Sequence, residues 1–274
     1  MPYVRKNRKG PSRPKMQNRR RAARRNKPSN SFAKKVNAVI HKAVETKDAS
    51  YTLSVTDFNG PVSNVQDVSR IVPTIQNGTT NGTRIADQIL GQKIDFRGHM
   101  MINTVFNTTG TTIPTAIPAN ARLMIRAAIV SIKKFNNFDD VSATTAWMNS
   151  ILKNGANLQG LDGTLQSMYL PWNKDVITVH KEFKKYVTIP VIYAQTATAT
   201  GFSNTAVGFE NSIKFMNATV KCKKLLKYDN TSFSPQNYAP FFICSYAHLD
   251  GSSADLITAR ITASYVSTLF YEDA

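Results

Sequence analysis

Apolar and polar residues alternate with a period of two in several stretches of this 274-residue chain. The alternation is clearest from Lys93 onward. Ile94, Phe96, Met100, Ile102 and Phe106 fall on one face, and Lys93, Asp95, Arg97, His99 and Asn103 on the other. That spacing predicts a half-buried strand. Leu123, Ile125, Ala127 and Ile129, with Arg122 and Arg126 opposite, predict another. Tyr51, Leu53 and Val55 alternate with Thr52, Ser54 and Thr56. Near the end, Ile257, Ala259, Ile261, Ala263 and Tyr265 alternate with Thr258, Arg260, Thr262 and Ser264. The full pattern predicts eight strands, over 51–57, 93–106, 121–133, 175–180, 183–190, 212–228, 240–249 and 256–271, with Lys181-Glu182 as a turn between the fourth and fifth. Residues 59–82, 107–120 and 194–210 read as loops. Between 136 and 170 the alternation stops. Asp139 and Asp140 are expected to open a short helix containing Ala146, Trp147 and Ile151, and Asn154-Gly155 and Asp162-Gly163 are turn pairs. Eight antiparallel strands with long connections, no internal repeat and no βαβ alternation predict an all-β fold, an eight-stranded antiparallel jelly roll of two packed sheets with one or two short helices.

The first 30 residues have no such pattern and are expected to form a disordered basic arm. Residues 31–48 are expected to form a short amphipathic helix and linker, and 49–274 the jelly-roll domain. Ser31 is placed to cap that helix, and Phe32, Val36, Val39, Ile40 and Val44 form one apolar face. Two readings of it stand: a helix packed on its own domain, or one at the arm–body junction with its lysines toward nucleic acid.

Charge sharpens this division. The chain has 35 basic and 17 acidic residues, and residues 1–42 hold 15 of the basic ones and no acid. The remainder, with 20 basic and 17 acidic residues, is close to neutral. A block of like charge with few apolar residues cannot offset its ordering entropy alone, and it calls for a polyanion. Nucleic acid is the expected partner, contacted by Arg5, Lys6, Arg8, Lys9, Arg13, Lys15, Arg19, Arg20, Arg21, Arg24, Arg25, Lys27, Lys34 and Lys35. The densest run is Arg19 to Arg25, and guanidinium forks suit phosphate oxygens. A solubilising tail or a nuclear-import signal is the other reading, and import is compatible with binding.

Little else in the sequence carries chemistry. His41, His99, His180 and His248 form no metal-ligand spacing, and no nucleotide-binding or hydrolase motif occurs. Neither an enzyme nor a cofactor nor a metal is expected. Cys222 and Cys244 are expected to be buried thiols in a reducing compartment. No leader and no membrane span are expected. Lys221, Lys223 and Lys227 share one strand face, read either as an extension of the nucleic-acid surface or as a solvated face. The aromatic residues are scattered, with no basic patch interleaved with aromatics of the kind that stacks bases, so recognition is expected to run mainly on charge, with little sequence preference.

A basic arm, a short helix and an eight-strand β domain together resemble icosahedral virus capsid proteins. Val36 to Lys47, VNAVIHKAVETK, looks like the apolar helix and Glu-Thr-Lys before the first strand in some of them. Gly82-Thr83-Arg84-Ile85-Ala86-Asp87-Gln88-Ile89 and Gln92-Lys93-Ile94-Asp95-Phe96-Arg97-Gly98 are similar to the second-strand entry in capsids of circular, Rep-encoding single-stranded DNA viruses, a family also resembled at Val266 to Asp273. Related folds occur in small RNA-virus shells such as the tombusvirus shell domain. The resemblance implies a virion protein in a shell of about 60 or more identical copies. It implies a viral genome as cargo, single-stranded DNA ahead of RNA. It also implies host import receptors as further partners, a nuclear stage during assembly, no membrane and no separate protruding domain. Asp139-Asp140 and Asp162 would be calcium ligands between subunits, as in some plant-virus shells, or simply a helix start and a turn. A cellular nucleic-acid-binding protein with a basic tail is the alternative. A cupin-type enzyme would require a histidine cluster.

Overall fold

The computed structural model describes residues 46–80, 82–103, 122–188, 191–198, 201–207, 213–229, 233–251 and 260–273. The arm, with all fourteen of the basic residues named for it, the helix expected over 31–48 up to residue 45, His41, Phe106 and the loop 107–120 lie outside the described residues.

Eight strands build two four-stranded antiparallel sheets. They are β1 (Thr46–Phe58), β2 (Val68–Arg70), β3 (Gln88–Asn103), β4 (Arg122–Ile132), β7 (Ile177–Thr188), β10 (Ile213–Lys227), β11 (Phe241–His248) and β12 (Arg260–Asp273). Two small hairpins, β5 (Leu152–Asn154) with β6 (Asn157–Gln159) and β8 (Val191–Thr198) with β9 (Gly201–Val207), interrupt the series. One sheet has the order β1-β12-β3-β10 and the other β2-β11-β4-β7. The pairings nest. The first of the eight strands pairs with the last, the second with the seventh, the third with the sixth and the fourth with the fifth. A hairpin of nested pairs rolled into two sheets is the jelly roll.

The sheets pack through the inward residues of the alternating strands. Phe96 stacks on Phe242 at 5.5 Å, Tyr265 meets Phe96 at 4.6 Å, and Phe58 meets Phe242 edge-on at 5.7 Å. Gly98 lies where β12 crosses closest, since a Cβ there would fall 2.5 Å from the Ser264 carbonyl oxygen and from Tyr265 Cβ. A second apolar cluster lies on the far side of β11 and β4. There Met124, Ala128, Val130, Phe241 and Ile243 pack under Trp147, Met148, Ile151, Leu161 and Met168 of the segment between β4 and β7. Both faces of β11 are therefore covered, which suits its largely apolar sequence FFICSYAH.

Several expectations need correction. The strands predicted over 175–180 and 183–190 are one strand, β7. Lys181-Glu182 is no turn; the register against β4 shifts between Ile129 and Val130, leaving His180 as a bulge. The loop expected over 59–82 contains β2, three residues long and paired only to β11. The count of eight thus holds with a different membership. The loop expected over 194–210 contains most of the β8–β9 hairpin. β1 begins at Thr46 and β3 at Gln88, five residues upstream of each prediction. The helix α1 (Phe138–Ala143) opens as predicted, with Asn137 capping the Asp140 N–H and Asp139 and Asp140 in its first turn. It stops before the β-branched Thr144-Thr145, so Trp147 and Ile151 lie outside it, Trp147 in a separate 3-10 turn. A further helix, α2 (Leu165–Tyr169), follows the Asp162-Gly163 turn. In the Asn154-Gly155 turn Gly155 takes φ +62°, the left-handed value a tight hairpin loop asks of its first residue.

Candidate nucleic-acid interface

The outer face of the sheet β1-β12-β3-β10 is uncovered among the described residues, and the registers place its side chains in rows. Phe215 on β10 lies opposite His99 on β3, which lies opposite Ser264 on β12. Asn217, Arg97 and Val266 form the next row, Thr219, Asp95 and Thr268 the third, and Lys221, Lys93 and Phe270 the fourth. Phe215 is 73% exposed, a high value for a Phe on a sheet. Its ring meets His99 at 6.5 Å, edge to face. Lys93 Nζ sits 4.4 Å over the Phe270 ring and 2.9 Å from Asp95 Oδ2. The Lys93 ammonium, with help from the Thr219 hydroxyl (2.8 Å) and Arg97, holds the Asp95 carboxyl below the ordinary carboxylate range.

This face continues around the edge of the sandwich, where β10 ends one sheet and β7 the other. Two shallow recesses lie there, of about 540 and 400 Å³, and they share Lys181 and Asn217. Arg97, Asp95 and Thr219 line the first, and Phe215, Glu182, Lys184 and Lys185 line the second. Four cations therefore face two carboxylates. Lys184 lies 3.6 Å from Glu182, which is also bonded to Arg126. Among the described residues no carboxylate pairs with Lys181 or Lys185. Cations on a terminal strand also discourage a further strand from adding, which is their minimum role.

No basic patch interleaved with aromatics is expected from the sequence; in the fold one exposed ring, Phe215, lies near Arg97, Lys181 and Lys185. Lys93, Arg97 and His99 share one face of β3, as its alternation predicts, but Phe215 joins them only through the β10–β3 register, and Lys181 and Lys185 only through the closure of the sandwich. No local motif in the sequence announces this. Lys221, Lys223 and Lys227 are exposed on β10, but Lys223 sits at a bulge with φ +42°, so the even spacing breaks within the group.

The other candidates carry less chemistry. Arg126 faces away from the central core yet is 1% exposed. Its Nε donates to Glu182 at 2.8 Å, Nη1 donates to the carbonyls of Ser167 and Leu170 at 2.7 and 2.8 Å, and its plane lies 4.1 Å over Trp172. Burial lowers its pKa and Glu182 opposes the shift, but a guanidinium stays charged. A cleft of about 530 Å³ opens beside it, mostly apolar, its buried polar wall already occupied by these bonds. Ser131 and His180 stand 2.8 Å apart, as in an activated nucleophile, and burial depresses the imidazole's pKa. Tyr238 rather than a carboxylate lies against that ring. Cys222 is half-buried and its thiol is pushed up to about 11; Cys244 is fully buried and raised further, so both stay protonated at neutral pH. Asp162 accepts from the Thr164 amide (3.0 Å), the Thr164 hydroxyl (2.6 Å) and Gln159 (2.8 Å), and Asp139 pairs with Arg70, which accounts for both as a turn and a helix start. Among the described residues no group of three or more His, Cys, Asp or Glu is placed to hold a metal.

No family model matches the chain, and no curated protein matches it. Among solved structures, the X-ray structure of the Triatoma virus empty capsid aligns over 84% of this chain and 70% of that one, at 10% identity. The TM-score is 0.17, too low to carry an argument.

Proposed function

We propose that this chain is a viral capsid protein, non-enzymatic, which assembles into a closed icosahedral shell and packages its genome by neutralising phosphates with the Arg-rich arm. One observation carries the reading: a body folded as a jelly roll and nearly neutral is continuous with a 42-residue segment holding 15 cations and no acid. A rigid β body repeated by symmetry supplies a shell. The arm supplies charge, and about 60 copies would bring roughly 900 cations, on the order of one per nucleotide of a genome of that length. The quoted resemblance favours single-stranded DNA over RNA as cargo. The Arg19 to Arg25 run also suits nuclear import during assembly, and the finished protein belongs in the virion.

Light scattering and electron microscopy of the purified chain test assembly, and closed particles are the expected result. Only monomers or dimers across all salt and nucleic-acid conditions would leave a cellular nucleic-acid-binding protein as the better reading. The arm is tested separately by a salt titration. If about ten arm charges engage a single strand, log K should fall with a slope near −7 against log salt. Replacing Arg19, Arg20, Arg21, Arg24 and Arg25 by Ala should lessen that slope by roughly 3 to 4, equally on unrelated sequences. An unchanged slope would sink the role given to the arm.

A further inference from the structure

We propose that the body carries its own site for single-stranded nucleic acid, separate from the arm, along the edge formed by β10 and β7. Phosphates would lie on Arg97, Lys181 and Lys185, and one unpaired base would stack on Phe215. This deepens the packaging role proposed above and rests on it for the class of ligand.

Three features on the page point to the same occupant. The two recesses adjoin, with Lys181 and Asn217 lining both, so one strand laid along this edge would touch the two in turn. Their charge is cationic, and among the described residues Lys181 and Lys185 have no carboxylate to neutralise them, which suits a polyanion and works against an edge-to-edge contact with a second copy. Phe215 lines one recess with 73% of its surface open, and among the described residues the one ring beside it, His99, meets it edge-on at 6.5 Å. A flat ring left open next to phosphate-binding cations is the arrangement on which bases stack without regard to sequence. A duplex hides its base faces, so the ligand is single-stranded. Asn217, between Arg97 and Phe215, adds an amide able to donate to a phosphate or to a base edge.

The test uses the full chain carrying the five-Ala arm substitutions, so that the arm's contribution is reduced. Binding is compared for a short oligothymidylate and for an abasic strand of the same length and charge. Stacking of one base should favour oligothymidylate by about tenfold. Phe215→Ala should bring that ratio to about one and leave abasic binding unchanged, while Phe215→Trp should keep or raise it. Lys181→Ala with Lys185→Ala should weaken both strands together and lessen the salt slope by about 1.4. Photocrosslinking of a halogenated oligonucleotide should label the peptide containing Phe215. Equal binding of the two strands by the parent, or a ratio that survives Phe215→Ala, overturns the site. So does a Phe215→Ala variant that changes particle mass but not the ratio, since the face would then be a subunit contact. If particles fail to form but the base preference is lost with Phe215, the site stands and the capsid reading falls.

Discussion

The two sheets of this jelly roll are built alike and finished differently. The sheet β2-β11-β4-β7 is covered on its outer side by the segment between β4 and β7, and all eight residues of β11 are buried. In the sheet β1-β12-β3-β10 only the inner side is covered among the described residues. β10 accordingly alternates, with Met216 and Val220 buried between the exposed Phe215, Asn217, Thr219 and Lys221. A covered face has already spent its apolar surface inside the subunit. An open face that keeps a phenylalanine at its edge, among cations, has surface left for a partner. The contrast teaches where to look on such a β sandwich: at the side chains that folding left without a use.

The sharpest way to break this contrast is to remove one phenylalanine from each side. Phe241 packs on Trp147 at 5.3 Å in the covered layer. Phe241→Ala should cost about 3 to 5 kcal/mol in urea unfolding of the unassembled chain, as should Phe242→Ala on the opposite face of the same strand. Phe215→Ala should stay within about 0.5 kcal/mol. A large loss at Phe215 would mean the open face is part of the fold.

Arg126 ties the covering layer down. Arg126→Met keeps the stem volume but leaves the carbonyls of Ser167 and Leu170 without their donor, at an expected cost of about 3 kcal/mol. Glu182 is 30% exposed and can return to water, so the full penalty of a stranded buried charge does not apply. Near-ultraviolet circular dichroism should report the disturbance through Trp172, which stacks on the guanidinium. A variant as stable as wild type would show that the layer is held by its apolar cluster alone.

Within the open sheet, the tightest point is Gly98. An added methyl would meet the backbone of β12 at Ser264 and Tyr265, and no flexible side chain can give way there. Gly98→Ala should therefore cost about 2 kcal/mol by overpacking. Ala at Gly155, where nothing lies within 4 Å but φ is +62°, should cost nearer 1 kcal/mol through backbone strain alone. Thermal unfolding of both variants ranks the two causes.

How far the sequence disclosed all this depends on what each element owes to its own residues. β3, β4, β10, β11 and β12 were legible because each carries enough apolar positions to set its own pattern. β2 was not, since three residues that borrow their hydrogen bonds from β11 leave no period to find. β7 was split because Lys181-Glu182 looks like a turn in one dimension, whereas both residues pair with β4, past the His180 bulge, on a strand that ends its sheet. Arg126 reads as a solvent-facing position by parity, and only the packing of α2 and Trp172 buries it. The basic–aromatic edge depends on cross-strand neighbours more than a hundred residues apart, as at Phe215 and His99, and no local signal encodes it. The arm's charge, by contrast, needed no structure to be noticed.

The smallest expected effect is also the one that ties the open face to its charge. Asp95 is the carboxylate that lines the first recess, bonded to Lys93 and Thr219 and held below its ordinary pKa chiefly by Lys93. A group whose pKa is lower folded than unfolded stabilises the fold when ionised. That contribution is present in full above the unfolded value of 3.8 and is lost as pH falls through the lower folded value. Asp95→Asn should therefore cost less than about 1 kcal/mol at neutral pH, because the ion pair is near the surface and screened. The difference between wild type and variant should begin to shrink below about pH 4 and vanish only below the lowered folded pKa, where both carry a neutral side chain. Binding should move the other way. With Asp95 gone, Lys93 and Arg97 are released toward phosphate, so affinity for oligothymidylate and for the abasic strand should rise together. The salt slope should steepen by about 0.7, one phosphate's worth. The base preference set by Phe215 should not change, because stacking does not depend on this charge. Paired urea titrations across pH and salt titrations on the two strands read both effects. Lower affinity for both strands in Asp95→Asn would mean that the carboxylate organises the recess rather than competing with its ligand, and the open face would then need a different account of its charge.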